Sequence, residues 1–114
     1  MRVTIHGIRN CDTMKRARAW LKGRGVAHRF RDYRTEPPTQ GELAAWARAL
    51  GWERLLNRSG TTFRKLPETE RMGLDEARAL ALMQGHPSLI RRPLLEADGR
   101  LLVGFDEAAW AAAL

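Results

Sequence analysis

Cysteine is scarce in this sequence: Cys11 is the only one among 114 residues. A single cysteine excludes a disulfide within the chain and a zinc site built from cysteines. The sequence also lacks an apolar run of membrane-spanning length, and its first residues are too short and too polar for a signal peptide. We therefore expect a single cytoplasmic domain over residues 1–114, with no membrane partner and no metal site.

Lysine is scarce as well, so arginine carries most of the positive charge. Lys15, Lys22 and Lys65 are the only lysines, yet the formal net charge is +7. A basic balance is compatible with nucleic-acid binding, but no zinc-finger spacing, RNP motif or basic-zipper pattern is present. The charge therefore indicates either a basic solvated surface or arginines that converge on an anionic ligand.

The first third of the chain predicts a strand, a helix and a second strand. Residues 2–6 place Val3 and Ile5 on one face, as in a strand. A helical pattern follows Cys11, and alternation over 26–32 predicts the second strand. Two strands joined by one helix are expected to pair in parallel.

The middle of the chain reads as helical. Thr39 and Glu42 form a capping box for a helix that ends at Gly51. Short helical turns are predicted over 52–73, and a further helix over 75–84. The residues of this further helix that are predicted to face the core are Ala77, Leu80 and Ala81.

The last third returns to strands. Asp98-Gly99 is a two-residue hairpin signal between apolar residues 94–95 and 101–103, and Asp106 can cap a final helix. The order is therefore βαβ, a helical insert at about 38–86, and ββα. This order predicts an α/β thioredoxin-like fold with a mixed four-stranded sheet.

Cys11 lies where the first strand passes into the first helix, and this placement has chemical consequences. Unpaired N–H groups and the positive end of the helix dipole stabilise a thiolate there. Arg9, Lys15 and Arg16 add positive charge nearby, whereas Asp12 opposes it. Two interpretations stay open at this point: a reactive thiol, or a cysteine that only packs the helix.

Two further segments are candidates for the site. In the thioredoxin plan the third strand opens with a proline that follows a cis peptide bond, and Pro93 holds that position. Arg92 would then lie beside the thiolate or a bound carboxylate, with a solvated surface cation as the alternative. Residues 57–62, with Arg58, could line the mouth of the site, although local chemistry alone favours an ordinary turn.

Short blocks along the chain form a recognisable combination. They are His6–Thr13, Asp32–Arg34, Leu55–Thr62, Lys65–Pro67, His86–Pro93 and Val103–Asp106. Together they resemble the ArsC/Spx family, most closely its YffB-like branch. The resemblance spans nearly the whole chain and implies a thioredoxin-like fold with a helical insert.

The resemblance also implies roles for particular residues. Arsenate reductases of the family attack arsenate with one cysteine, matched here by Cys11, and resolve the adduct with glutathione. Arg92 matches the arginine that precedes their proline. Gly7 stands where they have a histidine, and their last-strand arginine has no counterpart near Val103 or Gly104.

The other branches give further expectations. The Spx branch binds RNA polymerase and often carries Cys-x-x-Cys, whose second position is Met14 here. The YffB-like branch implies a glutathione-dependent thiol reductase, which is our leading interpretation. Arsenate reduction and RNA polymerase binding are the alternatives. We expect a monomer with no bound cofactor, with glutathione as co-substrate and a small thiol or oxyanion as substrate. Beside the catalytic Cys11, the residues expected to bind substrate or glutathione are Asn10, Asp12, Thr13, Arg58, Arg92 and Pro93.

Overall fold

The computed structural model of the chain describes all 114 residues. It forms two compact units: Met1–Glu36 with Arg92–Leu114, and Pro37–Arg91. The predicted insert falls inside the second unit, and the expectation of a single domain stays a prediction. No helix has the combined length and apolar character that crossing a membrane requires.

The four strands lie towards the two ends of the chain, and a run of helices occupies its middle. The first unit holds all four strands and two helices, and the second unit is helical. In chain order the elements are β1 (Val3–Gly7), α1 (Asp12–Gly23), β2 (Arg29–Asp32), α2 (Gln40–Leu50), α3 (Trp52–Leu55), α4 (Thr61–Arg64), α5 (Glu68–Arg71), α6 (Glu76–Gly85), a 3₁₀ turn (Pro87–Leu89), β3 (Leu94–Ala97), β4 (Arg100–Val103) and α7 (Glu107–Ala113).

The sheet of the first unit has the strand order β2-β1-β3-β4. β1 pairs in parallel with β2, while the pairs β1–β3 and β3–β4 are antiparallel. The predicted mixed four-stranded sheet is therefore confirmed. β1 and β3 are the two central strands and run antiparallel. The loop after β1 and the residues before β3 therefore lie next to each other at the same end of the sheet.

The core of the first unit combines apolar side chains from the sheet, α1 and α7. Alternate residues of β1 and β3 point to this side, as the pleat of a strand requires. Helical spacing on α1 supplies the facing stripe. The buried members of this core are Val3, Ile5, Met14, Ala17, Leu21, Leu95, Ala97 and Trp110.

Gly7 permits a close approach between the end of β1 and α1. A Cβ at this position would lie 2.3 Å from Sδ and 2.7 Å from Cε of Met14. Met14 is only 1% exposed, so it has little room to move. We predict that Gly7→Ala lowers the free energy of unfolding by about 1–3 kcal/mol, because an added methyl group overpacks the core. Urea denaturation measures this loss.

A double-mutant cycle provides the control for this prediction. Met14→Ala removes the atoms with which the new methyl group collides, although it costs stability itself by leaving a cavity. Adding Gly7→Ala to the Met14→Ala background should then cost much less than it costs in the wild-type background. An equal cost in both backgrounds would show that Met14 is not the obstacle.

A cluster of three polar side chains, two of them buried, joins three strands. His6 is 3% exposed, and its Nε2 lies 2.9 Å from Oε1 of Glu96. Its Nδ1 lies 3.3 Å from Nη1 of Arg31. Because a guanidinium can only donate, Nδ1 accepts and Nε2–H donates to Glu96. The Tyr33 ring lies nearly parallel to the imidazole at a centroid distance of 6.4 Å, so His6 is a packed residue of the sheet.

Strand β2 is shorter than the sequence predicts. The alternation covers 26–32, but the strand begins at Arg29. The N–H of Val26 donates to the carbonyl of Leu21 at 3.0 Å, and Nδ1 of His28 donates to the carbonyl of Val26 at 2.9 Å. These bonds satisfy the backbone locally, so the segment before Arg29 does not join the sheet.

The turn and cap signals of the sequence are confirmed. Asp98 and Gly99 both have positive φ values, 48° and 84°, as a two-residue hairpin turn requires. Asp106 accepts hydrogen bonds from the backbone N–H groups of Ala108 and Ala109 at the start of α7. The backbone chemistry of short side chains therefore sets these element boundaries.

The second unit confirms the predicted capping box and corrects the face of α6. Oγ1 of Thr39 accepts from the N–H of Glu42 at 3.1 Å, and Oε1 of Glu42 accepts from the N–H of Thr39 at 3.0 Å. The prediction for α6 is wrong, because alanine is apolar enough to mark a face but too small to force its burial. Ala77 and Ala81 are exposed and Leu80 is half-buried, whereas the buried residues are Ala79 and Met83.

Candidate active site

Cys11 is the N-cap residue of α1, as the sequence predicts. Its backbone is extended, with φ −97° and ψ 130°, and its carbonyl accepts the N–H of Lys15 at 2.9 Å. The side chain packs against the edge of the core and is only partly buried. The sulfur is therefore partly accessible to solvent and lies at the start of a helix.

The surroundings of the sulfur favour its charged form. Burial alone would raise the pKa of the Cys11 thiol. The donors that face the sulfur are the backbone N–H of Met14, the Arg92 side chain and the backbone N–H of Thr13, and the Arg92 charge adds to them. Together they hold the pKa of the Cys11 thiol below its ordinary value. These donors therefore favour the thiolate.

Arg92 and Pro93 bring a second element to the sulfur. The peptide bond between them is cis, as predicted, and Pro93 is buried immediately before β3. The Pro93 carbonyl accepts the N–H of Gly104 at 2.9 Å. Arg92 is half-buried beside Cys11, where a fully solvated surface cation would not lie. Its role in binding a ligand stays a prediction.

The loop between β1 and α1 is held by a carboxylate that sequence reasoning missed. Asp32 is buried, and its side chain accepts from the N–H of Arg34 at 2.9 Å and from the N–H of Arg9 at 3.4 Å. Nη2 of Arg34 also donates to the carbonyl of Arg9 at 2.9 Å. Asn10, which follows, adopts a left-handed backbone with φ 69°. The block at Asp32–Arg34 was the available signal for this role.

Arg58 lies in the second unit, where its contacts are local. Its guanidinium carbon is 5.2 Å from the centre of the Trp52 ring. The Asn57 side chain accepts from both N–H and Oγ of Ser59, which builds the turn around it. The role of Arg58 in ligand binding stays a prediction. The other residues predicted for the site share the first unit with Cys11: Asn10, Asp12, Thr13, Arg92 and Pro93.

The match to a family model decides the family of the chain. Residues 6–113 match the model of the ArsC family, and the match includes Cys11, Arg92 and Pro93. The chain belongs to the ArsC family. The thioredoxin-like architecture expected from the order of its elements is thereby confirmed, together with the resemblance on which that expectation rested.

Solved structures and a curated relative agree with this assignment. The structure of a YFFB protein is 50% identical, covers 98% of each chain and superposes with a TM-score of 0.95. An ArsC-related protein from Brucella melitensis is 51% identical, covering 98% of this chain and 93% of the other, with a TM-score of 0.81. The transcriptional regulator Spx of Enterococcus faecalis is 33% identical over 92% of this chain and 80% of its own length. The chain is therefore similar both to a transcriptional regulator and to a protein related to arsenate reductases.

Proposed function

We propose that this ArsC-family protein is a glutathione-dependent thiol oxidoreductase with Cys11 as its nucleophile. The observation that carries the proposal is the set of donors around the sulfur. Backbone N–H groups of Met14 and Thr13 and the Arg92 guanidinium favour the thiolate, which is the reactive form of cysteine. The partial exposure of Cys11 leaves the sulfur open to an electrophile.

The proposed reaction proceeds by two thiol–disulfide exchanges. The Cys11 thiolate attacks one sulfur of a disulfide substrate, forms a mixed disulfide and releases the other sulfur as a thiolate. A glutathione thiolate then attacks the mixed disulfide and restores Cys11. When the substrate is a glutathione mixed disulfide, the products are one free thiol and one oxidised glutathione. An external thiol is needed because the chain has no second cysteine.

Arg92 is proposed to serve both the thiolate and the ligand. Its guanidinium presents several N–H donors in one plane, so a bond to the sulfur leaves further donors for a carboxylate of glutathione. Asn10, Asp12, Thr13 and Pro93 are proposed to contribute backbone or side-chain contacts around the bound peptide. Arg58 is retained as a proposed contact to a ligand anion.

A regulatory role is the second candidate, and the Spx relative favours it. In that case the chain would bind RNA polymerase and show no turnover. Arsenate reduction has less support. Gly7 stands where the reductases have histidine, and Met14 fills the space beyond it. A bound oxyanion needs several fixed donors around it, and positions 103 and 104 offer no arginine.

Intact-mass spectrometry after exposure to oxidised glutathione tests the proposal. Wild-type protein should gain one glutathione on Cys11, and added reduced glutathione should remove it. Cys11→Ser is the matched control and should gain none. Wild-type protein unfolded in urea gives the rate of an unperturbed cysteine, and the folded protein should react faster at neutral pH.

Turnover separates the two candidates. A glutathione mixed disulfide supplied with reduced glutathione should yield oxidised glutathione catalytically with the wild type and not with Cys11→Ser. An adduct rate no faster than that of the unfolded chain, together with absent turnover, would reject the enzyme. Binding of purified RNA polymerase by both wild type and Cys11→Ser would then assign the regulatory role.

A further inference from the structure

A surface cavity lies at the end of α1 that is remote from Cys11. It is shallow and wide open to solvent, and its volume is about 600 Å³. Arg18, Ala19 and Lys22 line it from the helix, and the loop from Gly25 to His28 lines it from the other side. Cys11 lies at the opposite end of the same helix, and no residue that lines the cavity belongs to the candidate active site.

The polar lining of the cavity is basic. Arg18, Lys22 and His28 contribute to it, and no carboxylate does. Arg18 and Lys22 are four residues apart on one helix, so their side chains are neighbours and their charges repel each other. An anion bound between the two cations would relieve this repulsion.

The cationic side chains have different structural roles. Lys22 lies in the last turn of α1, where the helix dipole already favours a cation. Arg18 lies one turn earlier, and its guanidinium carbon stands 4.3 Å from the centre of the Phe30 ring. Stacking on a ring fixes the plane of a guanidinium but leaves its N–H edges available for hydrogen bonding. Arg18 therefore presents a pre-oriented edge of the kind that binds a phosphate in a bidentate manner.

The loop side of the cavity is formed by an ordered backbone. The N–H of Gly25 donates to the carbonyl of Lys22 at 3.0 Å, and the N–H of Val26 donates to the carbonyl of Leu21 at 3.0 Å. The His28 ring is fixed by its hydrogen bond to the carbonyl of Val26 at 2.9 Å. A cavity held by such bonds needs little ordering when a ligand binds, which favours affinity.

We propose that this cavity binds a soluble phosphate ester with a compact organic body, such as a mononucleotide. The phosphate contacts the Arg18 guanidinium and the Lys22 ammonium. The organic body lies against Ala19, Val26 and Ala27, which supply the apolar part of the lining. The site is independent of the proposed thiol chemistry, because it needs neither Cys11 nor Arg92.

Titration with adenosine monophosphate, followed by ¹H–¹⁵N correlation spectra, tests this proposal. The amide signals of Gly25 and Ala27 should shift and saturate, and Cys11→Ser should behave like the wild type. Arg18→Gln combined with Lys22→Gln should weaken binding by roughly tenfold or more, because both charged donors to the phosphate are lost. Arg48→Gln with Arg54→Gln makes the same change in net charge on exposed residues of the second unit and should leave binding unchanged.

Three results would overturn the proposed site, and a fourth would overturn its organic part. The first is the absence of saturable shifts at Gly25 and Ala27. The second is equal weakening by the two double variants, which would reduce the effect to general surface charge. The third is binding of a single-stranded oligonucleotide without binding of the mononucleotide, which would assign the basic lining to a polymer backbone. Inorganic phosphate alone should bind at the same signals but more weakly, and equal affinity would remove the organic body from the proposal.

Discussion

The Arg92→Met variant is expected to react with iodoacetamide more slowly than the wild type at mildly acidic pH. Arg92 donates a hydrogen bond to the sulfur of Cys11 and adds a positive charge beside it, and both lower the pKa of the thiol. Methionine keeps much of the side-chain length but provides no donor. The thiol pKa should therefore rise, and the alkylation rate should fall by roughly three- to tenfold, since a charged hydrogen bond at a partly exposed site contributes on the order of 1 kcal/mol.

Two further variants make this result specific. Arg91→Met changes the neighbouring arginine, which is exposed, and should leave the thiol pKa unchanged. Arg92→Lys keeps the charge but loses the planar set of donors. The pKa of the Cys11 thiol in this variant should therefore lie between its values in the wild type and in Arg92→Met. Equal thiol pKa values in wild type and Arg92→Met would remove Arg92 from the thiolate site.

The Trp110→Ala variant should lose more stability than the Gly7→Ala variant. Trp110 is 0% exposed, and its ring meets those of Trp20 and Phe105 edge-on at centroid distances of 5.9 Å and 4.9 Å. Its Nε1 donates to the carbonyl of Gly104 at 3.1 Å. Truncation leaves a cavity and an unpaired carbonyl, so the free energy of unfolding should fall by about 3–5 kcal/mol.

Urea denaturation followed by circular dichroism measures this loss. Trp52→Ala is the control, because Trp52 is half-exposed on a short helix of the second unit, and its loss should be clearly smaller. Similar losses in the two variants would contradict the assignment of Trp110 to the centre of the first unit's core.

Local signals in the sequence were sufficient for most of the fold. Hairpin, capping and strand patterns act through the backbone over a few residues, so Asp98-Gly99, Thr39 and Asp106 marked boundaries that the structure confirms. The face of α6 was predicted wrongly because a run rich in alanine has no strong apolar side. The start of β2 was predicted too early, because an alternating pattern does not show the local hydrogen bonds that Val26 and His28 form.

The candidate site was predictable where chain position decides the chemistry. Cys11 at a helix start implied unpaired N–H donors, and Pro93 at a strand start implied the place of Arg92. Asp32 was not found, because its role depends on the loop from Arg9 returning beside β2, which only tertiary structure establishes. The cavity at Arg18 was missed for the same reason, since its lining comes from a helix and a loop whose residues look like ordinary surface positions.

The most direct test of the central claim is the pH dependence of Cys11 alkylation in the wild-type protein. The thiolate reacts and the thiol does not, so the rate rises with pH through the pKa of the folded protein. A midpoint below that of the same chain unfolded in urea is the predicted result, since the donors of Met14, Thr13 and Arg92 act only in the folded state. A midpoint equal to or above that of the unfolded chain would contradict the account.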